Sequence, residues 1–219
     1  TQTGLFNLMM AGIKPEIVIA ANPVTLNFYK SKVRIAPKDL YLHNTQDICE
    51  SFNINFKVVK HNSVQCEKLI KEYNLDLGVI LGARILKSKI IDCFNIGVLN
   101  LHPGILPENR GLDTIKWAIL KDLPQGVTSH MINEKIDMGA LIDKREIKVY
   151  SDDTLTDIYM RIQSLEQEMM IDAIKKISKD NGESFSELDN GKNYHRSVPL
   201  EIEDRLHESF IKYKINRGI

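Results

Sequence analysis

Residues 97–111 read Gly-Val-Leu-Asn-Leu-His-Pro-Gly-Ile-Leu-Pro-Glu-Asn-Arg-Gly, and this stretch decides both the fold class and the chemistry. Residues 97–101 make a short, largely apolar strand that Pro103 and Gly104 then break. Asn100 and His102 stand two apart at its C-terminal end, so their side chains project from the same face. In an open α/β sheet, ligands bind outside the carboxyl ends of the strands. Taken singly, His102 reads equally well as a satisfied core histidine and Asn100 as a turn former. Their pairing on one face, followed by Pro103, Gly104 and Pro107, shifts the reading towards a reaction centre. An amide can donate to a developing oxyanion, and an imidazole can move a proton near neutrality.

The flanking segments place this strand in a sheet. Upstream, residues 16–21 and 77–81 are apolar runs of strand length, and residues 55–59 read as a further short strand. Helices are expected over residues 1–12, 45–52, 63–73 and 87–94, with Thr1 or Thr3 and Ser63 as N-caps. Residues 23–44 show no clear periodicity and are expected to form a loop with a short helix. This alternation indicates an α/β fold of the Rossmann-like, doubly wound, mostly parallel kind. A strand normally opens such a domain, and none is visible before the first helix, so residues upstream of Thr1 are expected.

Downstream, Asp113 is placed to cap a helix that ends near Pro124. Residues 126–133 (GVTSHMIN) alternate as a strand with one wet face, and residues 140–149 form a charged, edge-like strand that extends the sheet antiparallel. Between them lies Asp137, followed by Gly139, which permits a tight return. From position alone Asp137 is a solvated turn residue; brought near an imidazole, its carboxylate would orient the ring and raise its pKa. The clearest helix carries Leu155, Ile158, Ile162, Leu165, Met169, Ala173, Ile174 and Ile177 at helical spacing, capped by Ser151 or Asp153. Residues 1–182 are read as one domain. Residues 183–219 are read as a C-terminal arm, with a turn or small hairpin over 190–199 and a terminal helix over 203–214.

Composition narrows the function. Of 219 residues, Lys plus Arg and Asp plus Glu number 29 each, so no charge excess points to nucleic acid or a membrane surface. The three cysteines have no paired spacing, which fits thiols in a reducing cytoplasm. No apolar run approaches the roughly 20 residues of a membrane span, and no signal peptide is apparent. No ligand cluster with metal spacing stands out.

With these segments in view, the chain resembles the formyltransferases that use N10-formyltetrahydrofolate. The resemblance rests on Asn100-Leu101-His102-Pro103, Leu106-Pro107-Glu108-Asn109-Arg110-Gly111, Gly126-Val127-Thr128-Ser129-His130 and Asp137-Met138-Gly139, in that order, and covers roughly residues 75–178. Members commonly have Ser where Gly104 stands. The resemblance implies that Asn100, His102 and Asp137 are the catalytic trio, with His130 structural, N10-formyltetrahydrofolate as co-substrate and no metal. It further implies a folate-holding loop at Leu81, Gly82, Ala83, Arg84, Ile85 and Leu86, although core packing explains Ile85 or Leu86 equally well. The backbone from Ile132 through Glu134 and Ile136 to Asp137 is expected to close the other side.

For the acceptor, Tyr194-His195-Arg196-Ser197-Val198-Pro199 resembles the short arm of sugar N-formyltransferases, and residues after the long helix show no basic bias of the tRNA kind. The expected acceptor is therefore a nucleotide-linked amino sugar, as in surface-polysaccharide synthesis, handled by a cytoplasmic homodimer. Gly111-Leu112-Asp113-Thr114 resembles the ribonucleotide branch, so glycinamide ribonucleotide is the alternative acceptor. Hydrolysis of the formyl donor by water is a third reading.

Overall fold

A computed structural model describes residues 1–24, 31–38, 43–82, 85–135, 137–180, 185–189 and 194–217. The chain opens with α1 (Gln2–Met10), β1 (Ile17–Ala20), α2 (Thr45–Ser51), β2 (Asn55–Val58), α3 (Val64–Glu72), β3 (Leu77–Val79), α4 (Ser88–Ile91) and β4 (Gly97–His102). It continues through β5 (Arg110–Gly111), α5 (Thr114–Leu120), β6 (Gly126–Ile132), β7 (Gly139–Glu146) and α6 (Leu155–Asp180). It closes with β8 (Ser186–Glu187), β9 (Tyr194–His195), α7 (Leu200–Glu203) and α8 (Leu206–Asn216). Of the expected short helix within residues 23–44, positions 25–30 and 39–42 lie outside the described residues, and 31–38 are irregular.

The first four strands pair parallel, β1 with β2 and β3 with β4, as helix-linked strands must. The sheet then continues antiparallel through β6, β7 and the short β8, in the order β3-β4-β6-β7-β8. The architecture is α/β, with its polarity change between β4 and β6. That change sets the C-terminal end of β4 beside residues 128–130 of β6.

Helix α6 organises one face. Leu155, Ile158, Ile162, Met169, Met170, Ala173 and Ile177 are buried at three- and four-residue steps, so one stripe faces the protein along its length. Its N-terminal half packs with Ile115 and Ile119 of α5, Val127 of β6, and Leu206, Phe210 and Tyr213 of α8. Its C-terminal half packs on Leu99 of β4 and Ile142 of β7. Each fully buried aliphatic side chain contributes about 2 kcal/mol by transfer from water. The C-terminal helix is thus part of the main core.

Three local expectations change. The cap of α6 is Thr154: its backbone N–H donates to Asp157 Oδ2 at 2.7 Å, and Asp157 N–H donates back to Thr154 Oγ1 at 3.3 Å. Asp153 is instead taken by a two-pronged bond from Arg161, at 2.9 Å for each contact. Strand β6 has no wet face over residues 126–130, because β4 and β7 flank it and Thr128, Ser129 and His130 are fully buried. Their polar atoms are satisfied inside: Thr128 Oγ1 donates to the Gly104 carbonyl at 2.7 Å, and Ser129 Oγ to the Asp143 carbonyl at 3.3 Å. Finally, residues 190–193 of the expected turn or small hairpin lie outside the described residues, and the two short strands on either side pair elsewhere. Strand β8 extends β7, whereas β9 lies parallel to β5, so the C-terminal segment crosses the molecule.

A buried ion pair fastens this crossing. Lys116 of α5 and Glu203 of α7 have side chains 4% and 1% exposed, and Lys116 Nζ donates to Glu203 Oε1. Glu203 also accepts from Ser31 Oγ and Lys32 N–H, each at 2.7 Å. Removing one partner leaves an uncompensated buried charge. Lys116→Met is therefore expected to cost about 3–5 kcal/mol, read as a lowered denaturant midpoint with an unchanged slope.

Candidate active site

The antiparallel register of β4 and β6 sets Asn100 opposite His130 and His102 opposite Thr128, so all four side chains share one face. Asn100 is half-buried and His102 is 4% exposed. A register shift between Ser129 and His130 leaves Ile142 of β7 without a partner in the ladder. Such bulges re-aim side chains locally. Here the bulge falls at His130.

The hydrogen bonds of His130 fix its tautomer. Its Nδ1 lies 3.1 Å from the Met138 carbonyl and must donate to it, which leaves Nε2 as an acceptor. Burial, followed by the charge of neighbouring His102, lowers the His130 pKa to about 4. The bare Nε2 therefore accepts from Asn100 Nδ2 at 3.2 Å. This bond orients the Asn100 amide and leaves its second N–H hydrogen for a ligand.

His102 is held in a complementary way. Its Nε2 donates to the Asn109 carbonyl at 2.8 Å, so Nδ1 is the atom offered to the site. Asp137 Oδ1 stands 3.4 Å from that Nδ1. A proton arriving at Nδ1 thus meets a carboxylate. The other carboxylate oxygen, Oδ2, accepts the Gly111 N–H at 2.8 Å.

The β6–β7 connection delivers Asp137. Asp137 itself takes a left-handed backbone, φ 49°, which Asp tolerates better than most side chains. Gly139 has φ 111°, and a Cβ there would lie 2.0 Å from the Met131 carbonyl oxygen, so the tight return needs glycine. The three residues expected as a catalytic set converge at one end of the sheet.

Sequence reasoning missed what holds Gly111. Strand β9 pairs with β5, and Leu112 N–H donates to the His195 carbonyl at 2.8 Å. Gly111 has φ 103° and no room for a Cβ, which would lie 2.1 Å from that same oxygen. Asp113 sits at the N-cap position of α5 in a left-handed conformation and makes no side-chain cap. Its carboxylate accepts from Val198 N–H at 2.9 Å instead. Trp117 stacks on His195 with ring centroids 5.0 Å apart and donates from Nε1 to the Arg196 carbonyl at 2.7 Å. Residues 194–198 thus strap the segment whose Gly111 amide holds Asp137. The glycine of the Leu-Pro-x-x-x-Gly motif was the available signal.

The expected folate walls are partly described. Leu81 is half-buried, Gly82 turns with φ 99°, Leu86 packs into a core cluster, and Ile85 remains 63% exposed. Across the sheet, Ile132 is half-buried and Glu134 exposed. Ala83, Arg84 and Ile136 lie outside the described residues. Among the described residues, no group of three or more His, Cys, Asp or Glu is arranged to hold a metal.

Comparison with known proteins identifies the scaffold. Residues 17–174 match the formyl transferase family. The chain belongs to that family. Among its curated relatives, the methionyl-tRNA formyltransferase of Borrelia garinii is 34% identical over 112 residues, half of this chain and 36% of the relative. A second, from Coxiella burnetii, is 28% identical over 65% of this chain and 44% of the relative. The chain therefore matches only about a third to under half of these relatives' length. Among solved structures, the formyltransferase PseJ of Anoxybacillus kamchatkensis shares the fold at a TM-score of 0.58 and 23% identity, covering 77% of this chain and 93% of that one. Phosphoribosylglycinamide formyltransferase of Bacillus halodurans does so at 0.62 and 20% identity, covering 82% and 90%. These likenesses support the α/β reading.

The protonation of His130 gives a test of this arrangement. The unfolded chain takes up a proton near pH 6.5 at this residue and the folded chain only near 4. Unfolding is thus coupled to proton uptake, and stability falls as pH drops through that window, by on the order of 3 kcal/mol in full. Glu166 works oppositely between 4.5 and about 7, because burial raises its carboxyl pKa. Comparing wild type with His130→Gln isolates the histidine. The difference in their unfolding free energies should shrink as pH is lowered from 6.5 towards 4, followed by denaturant titration. A pH-independent difference contradicts the assigned neutral imidazole.

Proposed function

We propose that this protein transfers the formyl group of N10-formyltetrahydrofolate to the amine of a nucleotide-linked amino sugar. The observation that carries the formyl-transfer reading is the convergence of the Asn100 amide, His102 Nδ1 and the Asp137 carboxylate, with His102 Nδ1 3.4 Å from Asp137. The acceptor amine adds to the formyl carbon, forming a C–N bond and an oxyanion. Asn100 donates its free N–H hydrogen to that oxygen, and His102 stands beside it, gaining positive charge once its Nδ1 takes up a proton. The proton shed by the amine passes through His102 Nδ1, or through a water held by Asp137, to the folate nitrogen. The bond between that nitrogen and the formyl carbon then breaks. Asp137 stabilises the imidazolium while the proton is in transit.

The amino-sugar reading rests on residues 194–199, which resemble the sugar-enzyme arm and strap the Asp137-holding segment. The PseJ structure, described as a complex with UDP-4,6-dideoxy-4-formamido-L-AltNAc and tetrahydrofolate, supports the same acceptor class. We assign the reaction to surface-polysaccharide synthesis by a cytoplasmic homodimer. Among the described residues, no helix is long and apolar enough to cross a membrane. A methionyl-tRNA acceptor is the reading favoured by the 34% identical relatives, and glycinamide ribonucleotide the one favoured by Gly111-Leu112-Asp113-Thr114.

Incubation with formyltetrahydrofolate and each acceptor class, following tetrahydrofolate release, separates these readings. Turnover is expected with a nucleotide-linked amino sugar. Turnover only with charged initiator tRNA or glycinamide ribonucleotide removes the sugar assignment, and formate release without any amine indicates hydrolysis. In the productive assay, Asn100→Ala and His102→Ala are each expected to lower kcat by about 10²–10³, with folding retained. Near-wild-type rates in either variant contradict its role.

A further inference from the structure

A cavity of about 210 Å³ is lined by Ser31, Leu112, Asp113, Ser197, Val198, Leu200 and Glu203. It begins at Leu112, the residue that follows the amide holding Asp137. Much of its wall comes from the C-terminal segment that straps β5. We infer that this cavity is an acceptor subsite that receives one uncharged, hydroxyl-bearing ring of the acceptor. The inference rests on the amino-sugar reading above.

The chemistry of the lining selects that class. Leu112, Val198 and Leu200 supply an apolar wall against which a ring face packs. Two polar groups are available to orient it. The Ser197 hydroxyl has no protein partner among the described residues, and Asp113 uses only Oδ2, for Val198 N–H, leaving Oδ1 to accept from a ligand hydroxyl or N–H. Glu203 accepts from Ser31, Lys32 and Lys116 and is only 1% exposed, so it offers little to a ligand.

Charge excludes the rest of a nucleotide sugar. Both ionised side chains in the lining, Asp113 and Glu203, are acidic. The lysine that reaches Glu203, Lys116, also donates to Ser31 and is itself only 3% exposed. A diphosphate entering here would meet carboxylates with no free cation from the lining to offset them. The volume agrees: pockets that enclose drug-sized ligands run to roughly 300–1,000 Å³, and this one suits a single ring. Either the nucleoside or the sugar ring meets the description.

The test uses two variants, one control and two ring probes. Ser197→Phe fills the cavity, and Leu112→Arg, at a position already 42% exposed, alters its rim without burdening the core. Ile211→Ser, on the exposed side of α8, is the control. With an amino-sugar acceptor that turns over, both variants should raise the acceptor KM at least tenfold while tetrahydrofolate binding is retained, and the control should not. Uridine and methyl 2-acetamido-2-deoxyglucoside are titrated separately against the fluorescence of Trp117, the only tryptophan, which is bonded to the Arg196 carbonyl at the cavity edge. Saturable quenching by one probe, weakened at least tenfold in both variants, identifies which ring enters. If wild type turns over no amino sugar, the proposed function fails, and the subsite is then decided by the probe titrations alone. Equal behaviour of both variants and wild type, in acceptor KM where turnover exists or in the titrations where it does not, overturns the subsite.

Discussion

Placing a carboxylate against an imidazole inside a folded protein is the constraint from which the rest of this structure follows. Asp137 and His102 are both shielded from water, with side chains 13% and 5% exposed, and neither stays fixed without further partners. The Asp137 carboxylate takes the Gly111 amide, and His102 takes the Asn109 carbonyl. Both partners belong to the short segment that follows β4, so the same stretch sets the direction of both side chains. A buried polar group without a partner costs about 1–3 kcal/mol, and these two bonds avoid that cost for Asp137 and His102. Thr128 ties this loop to β6 by accepting from Leu106 N–H at 3.0 Å and donating to the Gly104 carbonyl.

His130 does for Asn100 what Asn109 does for His102. It is buried so completely that it remains neutral, and its remaining lone pair points the Asn100 amide hydrogen in a fixed direction. A histidine in a catalytic sheet is readily taken for a proton carrier. This one acts as a fixed acceptor, which requires that it not titrate near neutrality. The sequence reading made it structural, and its hydrogen bonds set it behind the amide of Asn100.

Much of the donor side was legible in the sequence. Period-2 alternation put Asn100 and His102 on one face, and the glycine after Asp137 marked the return that delivers the carboxylate. Apart from β5, strand and helix positions from residue 45 to residue 180 followed largely from apolar periodicity. The errors were of one kind. Strand β6 alternates polar and apolar residues like a strand with a solvated face, yet its polar residues find partners across the ladder and in the loop above. Asp113 and Asp153 have the composition of helix caps, but Val198 and Arg161 occupy them from a distance. Local pattern reports what a side chain can do, and partners far along the chain decide which option is used. The crossing that pairs Arg110 with Tyr194 and Gly111 with His195 joins residues from opposite halves of the chain, so no local signal encodes it.

That crossing has a consequence for how the site comes into being. Synthesis proceeds from the N-terminus, so β4, the β6–β7 connection and α6 all emerge before Tyr194 and His195. Until those two residues arrive, Gly111 lacks the strand that braces it, and the stack of Trp117 on His195 does not exist. The pairing of β4 with β6 can therefore assemble on a partly made chain, whereas the segment that holds the carboxylate is braced only by residues translated well after it. A nascent chain that has exposed α6 but not β9 holds Asn100, His102 and Asp137 and lacks the strand that braces Gly111.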